Sequence, residues 1–238
     1  MKVTTINSIE ISSMCNNTCE YCPAAVQGRY RKTGFMTMEI FNKALEFVKY
    51  FNEQGTQKEL NLFGVGESLM NPLFPIMLKK AFEVEPMIRP LHLNTNGRFV
   101  TKELVELFNL YLNHLDITAH NPRDTIVAYR LCKDQKFKLG FSADFWIHPN
   151  DWAGQVDWFK SEKSYPCPWL RNGQAWIMSD GNISTCCFDA FAQGVIGNVF
   201  ESKPEKLEVK PYKLCTTCHQ TYDTSVFEKE KSKLILVK

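Results

Sequence analysis

Strand-like and helical runs alternate along the first two-thirds of the chain, and this alternation limits its fold more than any other feature. Helical spacing of apolar residues predicts helices at residues 38–51, 75–82, 102–112 and 123–131. Short apolar runs predict strands at residues 9–12, 59–63, 91–94, 115–118 and 139–147. Thr37 and Thr101 precede two of the helices and are predicted N-caps. Repeats of this length indicate an α/β fold in which helices cover a parallel sheet.

The five predicted strands are fewer than the eight of a closed (β/α) barrel, so the sequence predicts an open, partial barrel. Beyond Pro149 the repeats stop, and turn-rich segments lead into a cysteine-rich stretch. We therefore expect a partial (β/α) barrel over residues 1–160 and a small cysteine-rich domain over residues 161–238. In such sheets, ligands gather on the loops at the carboxyl ends of the strands.

Three cysteines lie on the loop that follows the first apolar run, with the spacing C-x3-C-x2-C. They are Cys15, Cys19 and Cys22. Thiolates are the preferred ligands of iron–sulfur clusters, and four cysteines normally complete a cubane cluster. Three thiolates on one loop therefore leave one iron open to a ligand that is not protein. A zinc knuckle or a disulfide loop is the alternative, although zinc usually requires a fourth Cys or His nearby.

This cysteine spacing, with the aromatic Tyr21 before the third cysteine, resembles the signature of the radical S-adenosylmethionine (SAM) enzymes. The resemblance implies a [4Fe–4S] cluster whose open iron binds the amino and carboxylate groups of SAM. It also implies that one electron from the cluster cleaves SAM to a 5′-deoxyadenosyl radical, which abstracts hydrogen from a substrate. In such an enzyme the protein supplies position and shielding.

The end of the second predicted strand carries the run Gly64-Val65-Gly66-Glu67, which resembles the glycine-glycine-glutamate motif of the same family. The resemblance implies that Gly64 or Gly66 and the carboxylate of Glu67 contact the methionyl ammonium of SAM. A glycine lets a ligand approach the backbone closely. The two glycines are not adjacent here, which leaves open which of them makes the contact. An ordinary strand-to-helix turn is the alternative interpretation.

Polar residues at the ends of later strands are further candidates for contacts with SAM. They are Asn94, Asn96 and Ser142. Amide and hydroxyl groups can bond both a ribose and a methionyl group, as the resemblance implies for these positions. An Asn-Gly turn is the simpler account of Asn96.

Five further cysteines follow in the last third of the chain. They are Cys167, Cys186, Cys187, Cys215 and Cys218. Asp180-Gly181 lies between apolar flanks and predicts a hairpin that brings Cys186 beside Cys167. The arrangement resembles the SPASM and twitch domains of radical SAM enzymes, which hold auxiliary iron–sulfur clusters. Five cysteines suffice for one fully ligated cubane, so the shorter twitch form fits better.

The preferred ligands of this second [4Fe–4S] cluster are Cys167, Cys186, Cys215 and Cys218. Neighbouring residues of a strand point to opposite faces, so either Cys186 or Cys187 faces away from the cluster. A structural zinc ion bound by four cysteines remains the alternative at this site.

Composition adds limits rather than a function. With 28 Lys and Arg against 26 Asp and Glu, the net charge of +2 does not favour a nucleic-acid surface. The sequence contains neither an apolar run long enough for a membrane span nor a signal peptide, so we expect no membrane partner and a cytoplasmic location. Nine cysteines in a reducing compartment indicate metal ligation rather than disulfides.

His120 and His148 each follow a predicted strand on the ligand side and are candidate bases. A fully ligated second cluster would accept electrons, which favours oxidation of a small polar metabolite. Short length and a single auxiliary cluster are similar to the 2-deoxy-scyllo-inosamine dehydrogenase type. The resemblance implies a reductant such as flavodoxin or ferredoxin. Peptide or nucleotide modification by crosslinking or epimerisation, and a non-catalytic iron–sulfur or zinc protein, remain alternatives.

Overall fold

The structure is a computed structural model that describes residues 1–84, 90–142, 152–156, 165–218 and 220–221 of the chain. Its main feature is an eight-stranded sheet with the strand order β5-β4-β3-β2-β1-β7-β8-β9. The first five strands are β1 (Thr5–Ile9), β2 (Leu60–Asn61), β3 (Leu91–Thr95), β4 (His114–Thr118) and β5 (Lys138–Ser142). All four pairings among these strands are parallel, which confirms the predicted sheet.

The helices between these strands bury their apolar sides against the sheet. They are α1 (Met38–Glu53), α2 (Phe74–Val84), α3 (Lys102–Tyr111) and α4 (Pro122–Cys132). Phe41, Phe74 and Phe108 are almost fully buried and join the apolar strand residues in one core. The Thr37 side chain accepts a hydrogen bond from the Ile40 amide, and Thr101 accepts one from the Leu104 amide. Both predicted N-caps are therefore confirmed.

The last third of the chain adds three strands to the same sheet. These are β7 (Gln174–Ile177), β8 (Asn182–Ser184) and β9 (Val195–Asn198). β7 pairs in parallel with β1, and β8 and β9 continue antiparallel. Gly181, at φ +88°, makes the turn between β7 and β8 where the Asp180-Gly181 pair predicts a hairpin. One sheet therefore crosses the expected boundary near residue 160, and the division into two domains stays a prediction.

A short element brings the cysteine-rich segments together beside this sheet. β6 (Tyr165–Pro166) pairs in parallel with β10 (Gln220–Thr221) as a separate two-stranded sheet. Cys167 follows β6 and precedes a five-residue helix, α5 (Pro168–Asn172). Within the described residues, no helix has the length and apolar character that crossing a membrane requires.

Two strand positions differ from expectation. β1 ends at Ile9, where the sequence analysis begins its first strand, and β2 has two residues instead of five. All five residues of β1 are buried, so both faces of this central strand are covered. Burial on both faces removes the alternation of apolar and polar residues that would mark the strand's limits.

Candidate functional site

A cavity of about 260 Å³ opens at the carboxyl ends of β2, β3 and β4. Its wall brings together most of the site residues expected from sequence. Nine of them line it: Cys15, Cys19, Cys22, Gly64, Gly66, Glu67, Asn94, Asn96 and His120. Trp152 and Phe188, both beyond β5 in the chain, contribute aromatic surface. The cavity lies where a parallel sheet is expected to place its ligands.

Hydrogen bonds to its backbone fix the start of the cysteine loop. Ser12 Oγ accepts from the Met14 amide at 3.0 Å. Gln27 Nε2 donates to the Ser13 carbonyl at 2.6 Å, from a side chain that is almost fully buried. The Glu67 amide donates to the Met14 carbonyl at 2.8 Å, which joins this loop to the loop after β2. Contacts from residues 27 and 67 therefore hold the backbone that leads into Cys15.

Burial changes the pKa of two of the three thiols on this loop. Burial raises the pKa of the Cys22 thiol to about 12, and burial also raises the pKa of Cys15. The thiols of Cys15 and Cys22 are therefore protonated at neutral pH until iron displaces the protons. Each of the three side chains is partly exposed and none forms a disulfide. Three thiol donors on one cavity wall fit the ligand set of an iron–sulfur cluster with one open iron.

The two glycines after β2 let two loops pack against each other. A Cβ on Gly66 would lie 2.3 Å from the Ser12 carbonyl oxygen and 2.6 Å from that of Met14. A Cβ on Gly64 would lie 2.5 Å from Cγ of Glu10. Real Cβ atoms are not found at such distances, so both positions require glycine. The sequence predicts that these glycines let a ligand approach the backbone. In the structure they also let the cysteine loop pack closely against the loop after β2.

Glu67 is a buried carboxylate with most of its acceptor capacity in use. Oε1 accepts from the Leu69 amide at 3.1 Å and from Thr95 Oγ1 at 2.9 Å. Oε2 accepts from the Asn96 amide at 2.8 Å. Burial raises the pKa of this carboxyl, and the hydrogen bonds oppose that rise. A carboxylate offers about four acceptor positions, so these bonds leave roughly one for a ligand.

Two asparagines on the loop side of β3 have defined partners. Asn96 Nδ2 donates to Asn16 Oδ1 at 2.8 Å and so contacts the cysteine loop. Thr118 Oγ1 donates to Asn94 Oδ1 at 2.7 Å. Sequence analysis missed Asn16, and its place between two cysteines was the available signal. Ser142 stands opposite Thr118 in the β4–β5 register and is not among the described residues that line the cavity.

Tyr21 and His120 form a contact beside the cysteine loop. Tyr21 Oη and His120 Nδ1 are 2.6 Å apart, and their rings stack with centroids 5.8 Å apart. His120 Nδ1 also lies 3.8 Å from Cys19 Sγ. Burial lowers the pKa of His120, so its imidazole is neutral near pH 7. His148, the other histidine expected here, lies outside the described residues.

A buried ion pair supports the site, and sequence analysis did not identify it. Arg31 donates to both carboxylate oxygens of Glu10, at 2.7 and 2.8 Å. Glu10 also accepts from the amides of Val65 at 3.0 Å and Ser179 at 3.1 Å. Arg31 Nε donates to the Ala190 carbonyl at 2.8 Å. A charged residue inside the apolar run at residues 6–11 was the available signal.

The second group of cysteines surrounds its own small cavity. Four cysteines line it, namely Cys167, Cys186, Cys215 and Cys218. Cys187 is not among the lining residues in the described part of the chain; it packs against a buried apolar group that includes Trp176 and Met178. Burial raises the pKa of Cys215 to about 12, so metal binding must displace its proton as well. These four thiols fit either a fully ligated iron–sulfur cluster or zinc.

One aromatic residue belongs to both cavities. Phe188 lines the main cavity and the second cysteine cavity, and it directly follows the Cys186-Cys187 pair. Its ring meets Trp152 edge to face, with centroids 5.6 Å apart. The two cysteine sites therefore lie on either side of an aromatic wall.

The family model of the radical SAM superfamily matches this chain over residues 9–138. A curated relative, the S-adenosyl-L-methionine-dependent 2-deoxy-scyllo-inosamine dehydrogenase of Niallia circulans, is 29% identical over 120 residues. That alignment covers 50% of this chain and 46% of the relative, so the chain matches less than half of the relative's length.

Solved structures share the fold at low sequence identity. The crystal structure of BtrN in complex with AdoMet and 2-DOIA has a TM-score of 0.64 at 21% identity, covering 84% of this chain and 80% of that chain. The structure of anSMEcpe with bound AdoMet has a TM-score of 0.59 at 14% identity, covering 90% of this chain and 83% of that chain. These similarities show a shared fold, and they extend beyond residues 9–138, which the family model matches.

Proposed function

Since the chain belongs to the radical SAM superfamily, we propose that Cys15, Cys19 and Cys22 hold its [4Fe–4S] cluster and that SAM binds in the adjoining cavity. One observation carries this assignment. The three thiols share a cavity with Gly66, with the buried Glu67 and with the polar ends of β3 and β4. The cluster, when bound, supplies the electron that cleaves SAM to a 5′-deoxyadenosyl radical.

The protein's own groups hold and orient SAM. Glu67 has an acceptor position left for the methionyl ammonium, and its carboxylate is held by three hydrogen bonds. Gly64 and Gly66 expose backbone at the same wall, while Asn94 and Asn96 offer amide groups. We propose that Ser142, at the end of β5, contacts the ribose or the carboxylate of SAM. Preorganised polar groups cost little reorganisation when the ligand binds.

We propose that the reaction is the two-electron oxidation of a small polar metabolite. The substrate would lose a hydrogen atom to the adenosyl radical, a proton to a base and one electron to the second cluster. Cys167, Cys186, Cys215 and Cys218 would hold that cluster, and four thiolates leave it no position for substrate. A physiological reductant such as flavodoxin or ferredoxin would supply the first electron.

His120 is the described residue best placed to serve as the base, and His148 is the second candidate. Burial lowers the pKa of His120, which keeps the imidazole able to accept a proton near pH 7. In the tautomer whose Nδ1–H donates to the Tyr21 oxygen, Nε2 carries the lone pair that accepts the proton. Tyr21 thereby orients the ring beside the cavity.

The dehydrogenase relative supports an aminocyclitol or a related polyhydroxy amine as the substrate class. Anaerobic holoenzyme with SAM and dithionite should convert one member of an aminocyclitol panel to a ketone lacking two hydrogen atoms. One deoxyadenosine should form for each ketone. A substrate deuterated at the oxidised carbon should transfer its deuterium to deoxyadenosine.

Matched variants separate the two clusters in this experiment. Cys186→Ala should still cleave SAM yet form no ketone, whereas Cys187→Ala should behave like wild type. Ketone formation by Cys186→Ala at the wild-type rate would overturn the role of the second cluster. An epimer instead of a ketone would overturn the oxidation and leave radical chemistry standing.

A further inference from the structure

Three metal-ligand side chains meet on β3 and β4, away from both cysteine sites. His92 Nε2 and Asp116 Oδ2 are 2.8 Å apart, and His114 Nε2 and Asp116 Oδ1 are 3.3 Å apart. One donor atom from each residue lies within 4.8 Å of the other two. The two imidazole rings are stacked, with centroids 4.4 Å apart and planes inclined by 6°.

The backbone register creates this cluster. His92 stands opposite His114 in the β3–β4 pairing, and Asp116 follows two residues later on the same face of the sheet. Gly140 stands opposite Asp116 on β5. A Cβ at Gly140 would lie 1.6 Å from Asp116 Oδ1 and 2.9 Å from His114 Nε2. Glycine at this position therefore provides the space that the three polar groups enclose.

Hydrogen bonding alone does not account for the cluster. His114 Nε2 is buried and has no hydrogen-bond partner among the described residues, although Asp116 lies close to it. A buried polar atom without a partner is costly, and a metal ion would satisfy it.

The side chains retain access to small solutes. The exposed fractions of the side chains are 18% for His92, 23% for His114 and 24% for Asp116. The three side chains are thus only partly shielded, although the Nε2 atom of His114 itself is buried. Asn94, which lines the main cavity, stands opposite Asp116 in the β3–β4 register, and His92 lies two residues, about 6–7 Å, before Asn94 on β3, so the cluster adjoins that cavity.

We propose that His92, His114 and Asp116 form a binding site for a divalent transition-metal ion, with zinc as the expected occupant. Two imidazoles and one carboxylate are a ligand set typical of zinc sites that keep a water in the fourth position. The ion would join β3 to β4 beside Asn94, and at least one imidazole ring would turn out of the stack to direct its Nε2 lone pair at the ion. The site needs no cysteine and does not depend on the proposed radical chemistry.

Zinc binding to the anaerobically reconstituted holoenzyme tests the proposal, because the clusters then occupy the cysteines. After one equivalent of Zn²⁺ and removal of loosely bound metal, we expect one retained zinc per chain. X-ray absorption should show only nitrogen and oxygen neighbours, at about 2.0–2.1 Å, and no sulfur at about 2.3 Å. Sulfur neighbours, or no retained zinc in wild type, would overturn the proposal.

A pair of matched variants locates the ion. Asp116→Asn should lower the affinity for zinc by at least about tenfold, which is the loss that disturbed metal sites commonly show. Asp134→Asn makes the same chemical change at a carboxylate whose side chain is 80% exposed, and it should bind zinc like wild type. Equal affinity in the two variants would contradict the assignment. Iron content and deoxyadenosine formation, measured on the same samples, report separately on the proposed function.

Discussion

The Glu67 side chain accepts hydrogen bonds from three neighbouring residues, and we expect it to bind SAM as well. The residue is 3% exposed, and its carboxylate accepts hydrogen bonds from Leu69, Thr95 and Asn96. The loop after β2 and the end of β3 therefore meet at this group. Because the carboxylate is already held in place, a bound ammonium would find its acceptor preorganised.

Glu67→Gln should weaken SAM binding and leave the iron content unchanged. The amide removes the negative charge and brings an NH₂ group toward backbone donors. Hydrogen bonds to charged groups contribute about 1.5–3 kcal/mol, so the affinity should fall by at least about tenfold. Equilibrium titration of the reconstituted protein with SAM measures this. Glu39→Gln, an exposed substitution in the first turn of α1, is the control, and equal affinities in the two variants would remove Glu67 from the SAM site.

Cys186 and Cys187 should differ in iron content although they are neighbours. Cys186 lines the second cysteine cavity, and Cys187 packs against apolar residues instead. With two cubane clusters, wild type should hold about eight irons, Cys187→Ala about eight and Cys186→Ala about four. Iron and acid-labile sulfide analysis measures this. A wild-type protein that holds about four irons, with zinc at the second cysteine site, would contradict both the auxiliary cluster and its proposed role as electron acceptor.

The cysteines and Glu67 could be predicted because their spacing along the chain carries the information. The Glu10–Arg31 pair could not, since its two residues are joined only by the fold. Cys187 was ambiguous for the same reason, because adjacency in sequence does not say which thiol faces a cavity. The contact between His92 and Asp116 could not be predicted either, because the two residues lie on different strands.

At the scale of elements, the loops after β1 and β2 form one unit. Gly66 lies against Ser12 and Met14, and the Glu67 amide donates to the Met14 carbonyl. The cysteine loop is therefore shaped partly by a segment some fifty residues away, as the Glu67–Met14 bond shows. Substitutions in the loop after β2 should therefore weaken the binding of the cluster to the cysteine loop.

Gly66→Ala should destabilise the protein and reduce its iron content, while Gly34→Ala should do neither. A methyl group at Gly66 would overlap the Ser12 carbonyl, whereas a Cβ at Gly34 would meet nothing within 4 Å. Overpacking typically costs about 1–3 kcal/mol of unfolding free energy. Thermal unfolding and iron analysis of both variants measure the effect. A Gly66→Ala protein with wild-type stability and iron would contradict the proposed packing of the two loops.

Helices were easier to predict than strands. Predicted and observed limits of α2 and α4 agree within two residues, because periodicity and capping residues are local signals. β1 begins and ends earlier than predicted, and β2 is shorter than predicted, since a strand that is buried on both faces shows no alternation. The pairing of β7 with β1 connects residues far apart in sequence, and no local pattern predicts it.

At the scale of the whole molecule, the Glu10–Arg31 pair connects the first strand to residues 179 and 190. It lies at the carboxyl end of β1 and contacts the loop after β2, the turn after β7 and the Ala190 carbonyl. The exposed fractions of the two side chains are 2% for Arg31 and 0% for Glu10. The sheet and the second cysteine region are therefore coupled through one charged pair.

Arg31→Met should lower the unfolding free energy by about 3–5 kcal/mol, because it leaves the Glu10 carboxylate buried without its partner. Lys43→Met breaks an exposed pair with Glu46 and should cost no more than about 1 kcal/mol. Denaturant unfolding of the two variants beside wild type provides the comparison. Similar midpoints for both variants would show that the buried pair does not hold the two regions together.

The fold class could be predicted from sequence, but the way the two regions join could not. An open parallel sheet follows from the alternation of strands and helices, whereas its extension by β7, β8 and β9 depends on tertiary pairing. The same pairing places Phe188 between the two cysteine sites. Electron transfer between those sites is the property of the whole molecule that the proposed oxidation requires.

Reductive cleavage of SAM tests the central claim most directly. The anaerobically reconstituted protein is incubated with SAM and dithionite, and 5′-deoxyadenosine and methionine are quantified. Wild type should form both in equal amounts, and the variant with Cys15, Cys19 and Cys22 all replaced by Ala should form neither while retaining about four irons. Wild-type protein that holds iron at this site yet yields no deoxyadenosine, or equal yields from the variant, would contradict the account.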